Sequence, residues 1–435
     1  LKKQVKTKYN LIIPYMILKK QISENQFSII LLLLLYSLFF LGFILDENST
    51  GGAYQDYINQ KKISKSFSDN FINSLFNYDK FSTRHSPIIP SFFGLLEKLN
   101  LKDDYIRLIS LHLGLLLPVF FFKSLKIKFQ KIKKFYLILI TGLIFLSPTF
   151  RSLLIWPDSR IYGLTIFLIS IYYYYKFQKD KKFIYSIYCT FFYALASYIS
   201  LNFALFAIFF FLKFFQEYKF NSNKILKLFL LNLILSLPFF VYIFYLENIF
   251  FLKTAVPTAA GEFSKSEIFN FSNKILIISS IIFFYAIPFL LTGVYKIKWS
   301  NKFSIILALI LLLFLQFNFS YSYEWTGGGI FFKISKLLFQ NNYLFYFICF
   351  FSLVFLIEIC KNNLNNTMII FCLILSNPQI TIYHKYYDPL MLLIFLLLFN
   401  FKIDSKKLFK LKNIIIFYIY FALFLIINIL KTKIL

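Results

Sequence analysis

The chain has 435 residues, is 59% apolar and 22% aromatic, and is only 15% charged. Soluble domains carry nearer a quarter charged residues, and repeated apolar runs of about 20 residues are membrane spans, which excludes an ordinary soluble enzyme. The net charge of +28 would suit a nucleic-acid binder, but the lysines cluster in short connections between apolar runs, which excludes that class too.

Thirteen apolar stretches occur in chain order, at roughly 27–45, 106–122, 135–149, 161–175, 183–197, 202–215, 228–246, 275–294, 303–319, 342–359, 366–380, 388–402 and 413–430. They predict an all-α polytopic transmembrane helical bundle of about 13 spans, or 11 to 13 given several short ones, as a single domain without a separate soluble part. The basic amino terminus, LKKQVKTKYNLIIPYMILKK, runs into the first stretch with no small-residue cleavage site after it. That predicts an uncleaved first helix rather than a signal peptide. Cys189, Cys349, Cys360 and Cys372 fall in or beside spans without CxxC spacing, and are expected to be apolar fillers.

Charge alternates between the connections. The amino terminus and every second connection, such as KSLKIKFQKIKK (123–134) and KFQKDKK (176–182), hold 29 of the 47 Lys and Arg when span-edge lysines are included. Cytoplasmic connections carry this excess, so the amino terminus is expected inside and the carboxyl terminus outside. The outer connections differ in kind. The first, Asp46 to Tyr105, is the longest, and SPTFRSLLIWPDSR (147–160), 246–273, SYSYEWTGGGIFFK (320–333) and NPQITIYHKYYDP (377–389) follow. All three histidines, all four arginines and 14 of the 19 acids lie in these segments or, for Arg107 and His112, in the second span beside them. Such one-sidedness predicts a site at the outer membrane face. A transporter would instead scatter ionisable or broken-helix positions near the midplane.

Within the first outer loop, Tyr54, Tyr57, Ile58, Ile63, Phe67, Phe71 and Leu75 recur at helical spacing, with Lys61, Lys62, Lys65 and Asp69 on other faces. That predicts an amphipathic helix lying on the membrane surface. PSFFGLLEKL (90–99), opened by Pro90, predicts a second. Such helices either pack against the bundle or frame a lateral entry for a lipid.

The chemistry-bearing clusters sit around these elements. Asp46 and Glu47 end the first span as neighbouring carboxylates; either can serve as a general base with a raised pKa or hold a divalent cation. An acidic pair that merely closes a span is the plain alternative. Arg84 and His85 precede a Pro-x-x-Pro corner, and Arg151 and Arg160 flank Trp156 and Asp158. Arginine is scarce beside lysine in this chain, and its planar fork suits phosphate or carboxylate. His384 and Lys385 open a dense polar hairpin, HKYYD (384–388). Tyr54, Trp156 and Trp325 are candidates for stacking on a sugar. Together these residues describe a lipid-borne, phosphate-bearing substrate met by carboxylates, cations and aromatics.

LDENSTGGAYQDY (45–57) is similar to the acidic motif after the first span of the GT-C superfamily of membrane glycosyltransferases, and RHSPIIPSFFGLL (84–96) to its Pro-containing lead into a second surface helix. In style the chain most resembles the protein mannosyltransferases and lipid A aminoarabinose transferases. The resemblance implies a glycosyltransferase of the cytoplasmic (inner) membrane, with its active site on the outer face. It would move a sugar from a polyprenyl-phosphate donor to a lipid-linked or surface glycan acceptor. It also implies that Asp46, or its neighbour Glu47, is the base, acting with or without a divalent cation such as Mg or Mn. Phosphate binding by Arg84, His85, Arg151, Arg160, His384 and Lys385 is expected from their chemistry. No soluble carboxyl-terminal domain of the oligosaccharyltransferase kind is expected from these 435 residues, and a lipid or glycan acceptor is expected rather than a protein. A lipid-linked oligosaccharide polymerase would place its large loop later, and a flippase would need charges inside the spans.

Overall fold

The computed structural model describes residues 23–81, 83, 86–219, 221–245, 270–297, 301–324, 327–377, 381–400 and 404–434. It is 81% helix with no strand among the described residues. Among the described residues, seven helices are long and apolar enough to cross a membrane: Gln26–Ile44, Asp103–Lys128, Leu201–Tyr218, Ser222–Phe244, Phe271–Leu291, Tyr343–Cys360 and Leu411–Lys431. An eighth candidate is broken, with Lys134–Leu146 and Pro148–Ile155 meeting at 63°. The chain is a multi-pass membrane protein, since only helices satisfy their own backbone groups in lipid.

The helices are α1 (Glu24–Ile44), α2 (Ala53–Asp69), α3 (Phe71–Phe76), α4 (Ile88–Lys98), α5 (Asp103–Gly114), α6 (Leu116–Lys128), α7 (Lys134–Gly142), α8 (Pro148–Ile155) and α9 (Ser159–Asp180). There follow α10 (Phe183–Ile199), α11 (Phe206–Tyr218), α12 (Ser222–Phe240), α13 (Phe271–Leu291), α14 (Lys302–Phe317), α15 (Gly329–Phe339), α16 (Tyr343–Cys360), α17 (Leu364–Leu375) and α18 (Leu411–Ile434). One large apolar core joins most of them, with a small satellite at Ile63, Phe67 and Tyr78. All four cysteines are free, and three of them are buried. Much of the side-chain surface of α12 and α14, including Leu230, Leu233, Ile234, Ile306, Ile310 and Phe314, is exposed, which suits lipid-facing helices.

The thirteen sequence stretches yield fewer full-length helices, and local causes account for the difference. Ser147 is extended ahead of Pro148, and its side chain caps Phe150 N, so the 135–149 stretch bends into α8. The 388–402 stretch is α-helical only over Leu390–Leu393 and continues as a π turn, Ile394–Leu398, with all nine residues buried. The loosened Leu397 carbonyl accepts hydrogen bonds from Lys128 Nζ (2.9 Å) and Tyr175 OH. The tyrosines and terminal lysines of α9 dilute its apolarity, and α10, α14 and α17 are shorter apolar helices.

In the first long connection, the helix expected to run through Leu75 is interrupted. Asn70 is extended and its side chain accepts from Asn73 N, ending α2 and starting α3. Of the stripe, Tyr57, Ile63 and Phe67 are buried, whereas Tyr54, expected on the same face, is exposed, and Gln60 and Ser64 are buried beside them. α4 starts at Ile88 rather than Pro90; Pro90 is tolerated in the first turn. The two helices cross at Gly94, where a Cβ would lie 2.6 Å from Ser64 O and 2.7 Å from Phe67 Cβ. Gly94→Val should therefore push α4 off α2 and destabilise by about 1–3 kcal/mol, as overpacking does. A lowered unfolding temperature of the detergent-solubilised protein checks this, and an unchanged one refutes the close crossing.

Candidate functional site

The last turn of α1 closes in a Schellman motif, with Glu47 N bonding to Gly42 O (2.8 Å) and Asp46 N to Phe43 O (3.3 Å). Its left-handed position, usually glycine, is held by Asp46 at φ 52. A non-glycine residue there costs of order 1–3 kcal/mol, and Asn100, Lys181, Lys219, Gln340 and Asn362 adopt the same conformation. Gly51, at φ 79, then turns the chain into α2. Ser49 Oγ pins the loop by donating to Pro148 O (3.1 Å) and by sharing a hydrogen bond with Ser152 Oγ (2.8 Å), which also accepts from Thr50 N.

The paired acids diverge. Glu47 is largely buried, and both its oxygens accept from Arg151 Nε (2.8 and 3.0 Å) while Nη2 also bonds to it. Arg151 Nη2 reaches Leu38 O as well (3.0 Å). Arg151 is thus committed to closing α8 on α1, contrary to its expected phosphate role, because a buried guanidinium needs an internal partner. Asp46 stands outward, 60% exposed, with one oxygen 2.6 Å from Arg107 Nη2. Arg107 is buried, donates to Ile155 O (3.1 Å) and lies 3.9 Å over the Trp156 ring.

Trp156 is consequently buried beneath Arg107, with Tyr54 edge-on at 4.7 Å. Its faces are taken by protein, so the expected sugar stacking there is corrected, whereas Tyr54 is exposed. Tyr57 donates to Asp103, which also pairs with Lys61 at 3.0 Å.

A second acid, which the sequence reading passed over, organises the neighbouring cleft. Asp56, in the first turn of α2, receives Lys385 Nζ (2.7 Å) and Arg160 Nη2 (3.2 Å) on the same oxygen. Burial pushes the Asp56 carboxyl up, but the Lys385 ammonium and the Arg160 guanidinium outweigh it and hold it below the ordinary value. Arg160 is fixed from behind by fully buried Asp158, which takes Nε and Nη2 at 3.0 Å each and caps α9 through Arg160 N. Its plane lies 4.8 Å over the Tyr386 ring. The cleft has a volume of about 370 Å³, and its polar lining is Asp56, Ser86, Ser159, Arg160, Ser200, Asn202, Ser376, Lys385 and Tyr386. Ile199, Leu201, Ala204, Leu205, Phe239 and Leu375 are its apolar lining. Leu205 also lines a mainly apolar cavity of about 220 Å³ between α11 and α17, walled by Ile208, Thr367, Met368, Phe371 and Cys372.

A separate cavity of about 640 Å³ lies along the 46–51 loop. Asp46, Glu47, Asn48, Ser49, Thr50, Arg151, Asn428 and Lys431 line it, together with the apolar Leu38, Leu41, Leu45 and Ile429. Gly52, where the loop ends, abuts the cleft, since a Cβ there would sit 3.7 Å from Lys385 Nζ.

Lys385 and Arg160 therefore converge as expected, whereas their neighbour His384 does not join them. It packs on Phe284 and Tyr285, its Nε2 lies 3.1 Å from Tyr285 OH, and burial pushes its imidazole down to about 3. It is a neutral hydrogen-bonding partner, not a cation for phosphate. Asp388, at the end of the same hairpin, is buried and accepts from Ser147 Oγ (2.6 Å) and Thr149 N (3.0 Å). Arg84, His85 and Trp325 lie outside the described residues. Among the described residues no three His, Cys, Asp or Glu side chains gather as a metal site. Asp46 and Glu47 face different arginines, so this pair does not fit a shared Mg or Mn ion. No family profile, curated protein or solved structure matches the chain.

Glu47→Gln should strand the buried Arg151 guanidinium and cost about 3–5 kcal/mol, read as loss of monodisperse protein in detergent. Glu47→Met combined with Arg151→Met should recover most of that yield. For Asp56, whose folded pKa is depressed, stability is present above the ordinary value of 3.8 and lost as pH falls through the folded one. The gap in unfolding temperature between wild type and Asp56→Asn should accordingly close below about pH 4. A gap that persists there would remove the ion bridge as its cause.

Proposed function

We propose that the protein is a membrane glycosyltransferase that moves a sugar from a polyprenyl-phosphate donor to a hydroxyl of a lipid-linked or surface glycan. The observation that carries this reading is the cleft itself. Two cations, Arg160 and Lys385, line it together with apolar side chains, and one of these, Leu205, also lines a second, mainly apolar cavity between two helices. A phosphate joined to a long hydrocarbon chain has that distribution of charge and apolar surface. Neither a free sugar nucleotide nor a protein would need the apolar part.

In this reading Asp46, rather than Glu47, is the base, since Arg151 occupies both Glu47 oxygens while Asp46 keeps one oxygen free of Arg107. Asp46 takes the acceptor hydroxyl proton as that oxygen bonds to the anomeric carbon. The bond from that carbon to the phosphate oxygen breaks, and its electron pair leaves with the polyprenyl phosphate. Arg160 and Lys385 stabilise the departing charge. The transition state has oxocarbenium character, as in glycoside hydrolysis. No metal enters the scheme.

The charge alternation supports an amino terminus in the cytoplasm and a site at the outer face of the cytoplasmic membrane. The shorter apolar helices and the broken pair would bring the span count towards the 11 to 13 of the sequence. α2 and α4 would then flank the site at the membrane surface, with Tyr54 beside the sugar.

The test is mass spectrometry of polyprenyl-phosphate species in cells carrying wild type or Asp46→Asn. The variant should insert normally, lose transfer by about the 10²–10⁴-fold that a general base contributes, and accumulate a sugar-loaded polyprenyl phosphate. Full transfer by Asp46→Asn would remove Asp46 from the mechanism.

A further inference from the structure

We infer that Asp56 is an internal counter-ion that occupies the phosphate position of the cleft and must be displaced when the phosphate binds. This rests on the proposed donor site and adds the means by which that site is filled and emptied.

The geometry points to a stand-in. A single Asp56 oxygen bridges Lys385 Nζ at 2.7 Å and Arg160 Nη2 at 3.2 Å, as one oxygen of a phosphate would. Lys385 is largely buried, with 13% of its side chain exposed, and Asp56 is more open at 29%. The two cations are thus the fixed part and the carboxylate the movable one. Asp158, with no exposed side-chain surface, locks the guanidinium plane from the opposite side. Arg160 Nη1 is buried with no hydrogen-bond partner, so the guanidinium keeps a donor in reserve.

Charge balance gives the same answer. Arg160 and Lys385 against Asp158 and Asp56 make the closed cleft neutral. A phosphodiester entering beside Asp56 would leave it with an uncompensated negative charge in a partly desolvated place, which is expensive. If Asp56 swings out towards solvent, the phosphodiester takes its oxygen's position and neutrality is restored. After transfer the leaving phosphate is displaced in turn when Asp56 returns. Asp56 acts as a positioning residue that keeps donor binding weak enough for turnover.

The experiment uses the full chain in nanodiscs of uncharged lipid. Binding of geranylgeranyl phosphate, geranylgeraniol and inorganic phosphate is measured for wild type, Asp56→Asn and Arg160→Met. Asp56→Asn should bind geranylgeranyl phosphate about tenfold more tightly, the scale of one charge-assisted hydrogen bond, with binding of the uncharged alcohol unchanged. Arg160→Met should lose the phosphate preference. In turnover, kcat and KM should both fall for Asp56→Asn, because product is retained. A purely structural bridge would predict weaker binding instead, and equal or weaker binding of the lipid phosphate by Asp56→Asn overturns the inference. If wild type binds inorganic phosphate as tightly as the lipid phosphate, the cleft takes a free anion and the lipid assignment fails. If wild type, folded by its unfolding transition, binds neither, the donor-site reading fails and this inference with it.

Discussion

The rim of this bundle depends on one buried ion pair. Arg151 projects from α8 into a space where a lone guanidinium would be prohibitively costly, and Glu47 meets it with both oxygens. Because Arg151 also holds Leu38 O, the pair locks the last turns of α1 to α8. Everything downstream inherits that register. With Glu47 drawn inward, the preceding residue must take the left-handed position, so Asp46 faces out towards Arg107. Ser49 and Ser152 then fix the loop, Gly51 turns it, and α2 begins where its first turn puts Asp56 against Lys385.

Burial sorts three chemically similar acid–base contacts into different tasks. Glu47 is 10% exposed and doubly engaged, which suits a clamp. Asp46 is 60% exposed and singly engaged, which leaves an oxygen for a proton. Asp56 lies between, at 29%, and shares one oxygen between two cations, which suits an interaction that is made and broken. Arginine provides the fixed side of all three. Its planar fork can serve a carboxylate and a backbone carbonyl together, as Arg107 and Arg151 do, where an ammonium would act as a point charge. That is a physical reason for Arg107, Arg151 and Arg160 at these positions in a chain that otherwise uses lysine.

Much of this was legible in the sequence, and the missing parts share a cause. Apolar runs located the long helices, and the spacing of Tyr57, Ile63 and Phe67 found the buried face of α2. The gathering of Arg160 and Lys385, 225 positions apart in sequence, followed from their placement on one side of the spans. What composition could not carry was direction. Nothing in the adjacency of Asp46 and Glu47 said that one would turn in and the other out, since that is set by a Schellman closure and a partner about a hundred residues away. His384 resembled a phosphate ligand because of Lys385 beside it, yet a 3₁₀ turn sends the two side chains to different neighbours. Asp56 was hidden for the converse reason. It lies in the same short acidic stretch as Asp46, but as one polar residue of an amphipathic helix it carried no distinguishing pattern.

The two cavities differ in the charged groups they hold. Both have apolar lining, but only the cleft at Asp56 joins an ammonium to a guanidinium, so in the proposed reaction that cleft takes the lipid phosphate. Asp46 lines the other cavity, where Asn48, Thr50 and Asn428 add polar groups and the Thr50 hydroxyl is buried without a partner. A hydroxyl-bearing acceptor entering there would meet the exposed carboxylate before it met the donor. In the proposed reaction Asp46 serves the acceptor and Asp56 yields to the phosphate. A single displacement needs the attacking oxygen, the anomeric carbon and the leaving oxygen in contact along one line, so the donor sugar must reach past the 46–52 loop, fixed by the Glu47–Arg151 pair, to lie within reach of Asp46.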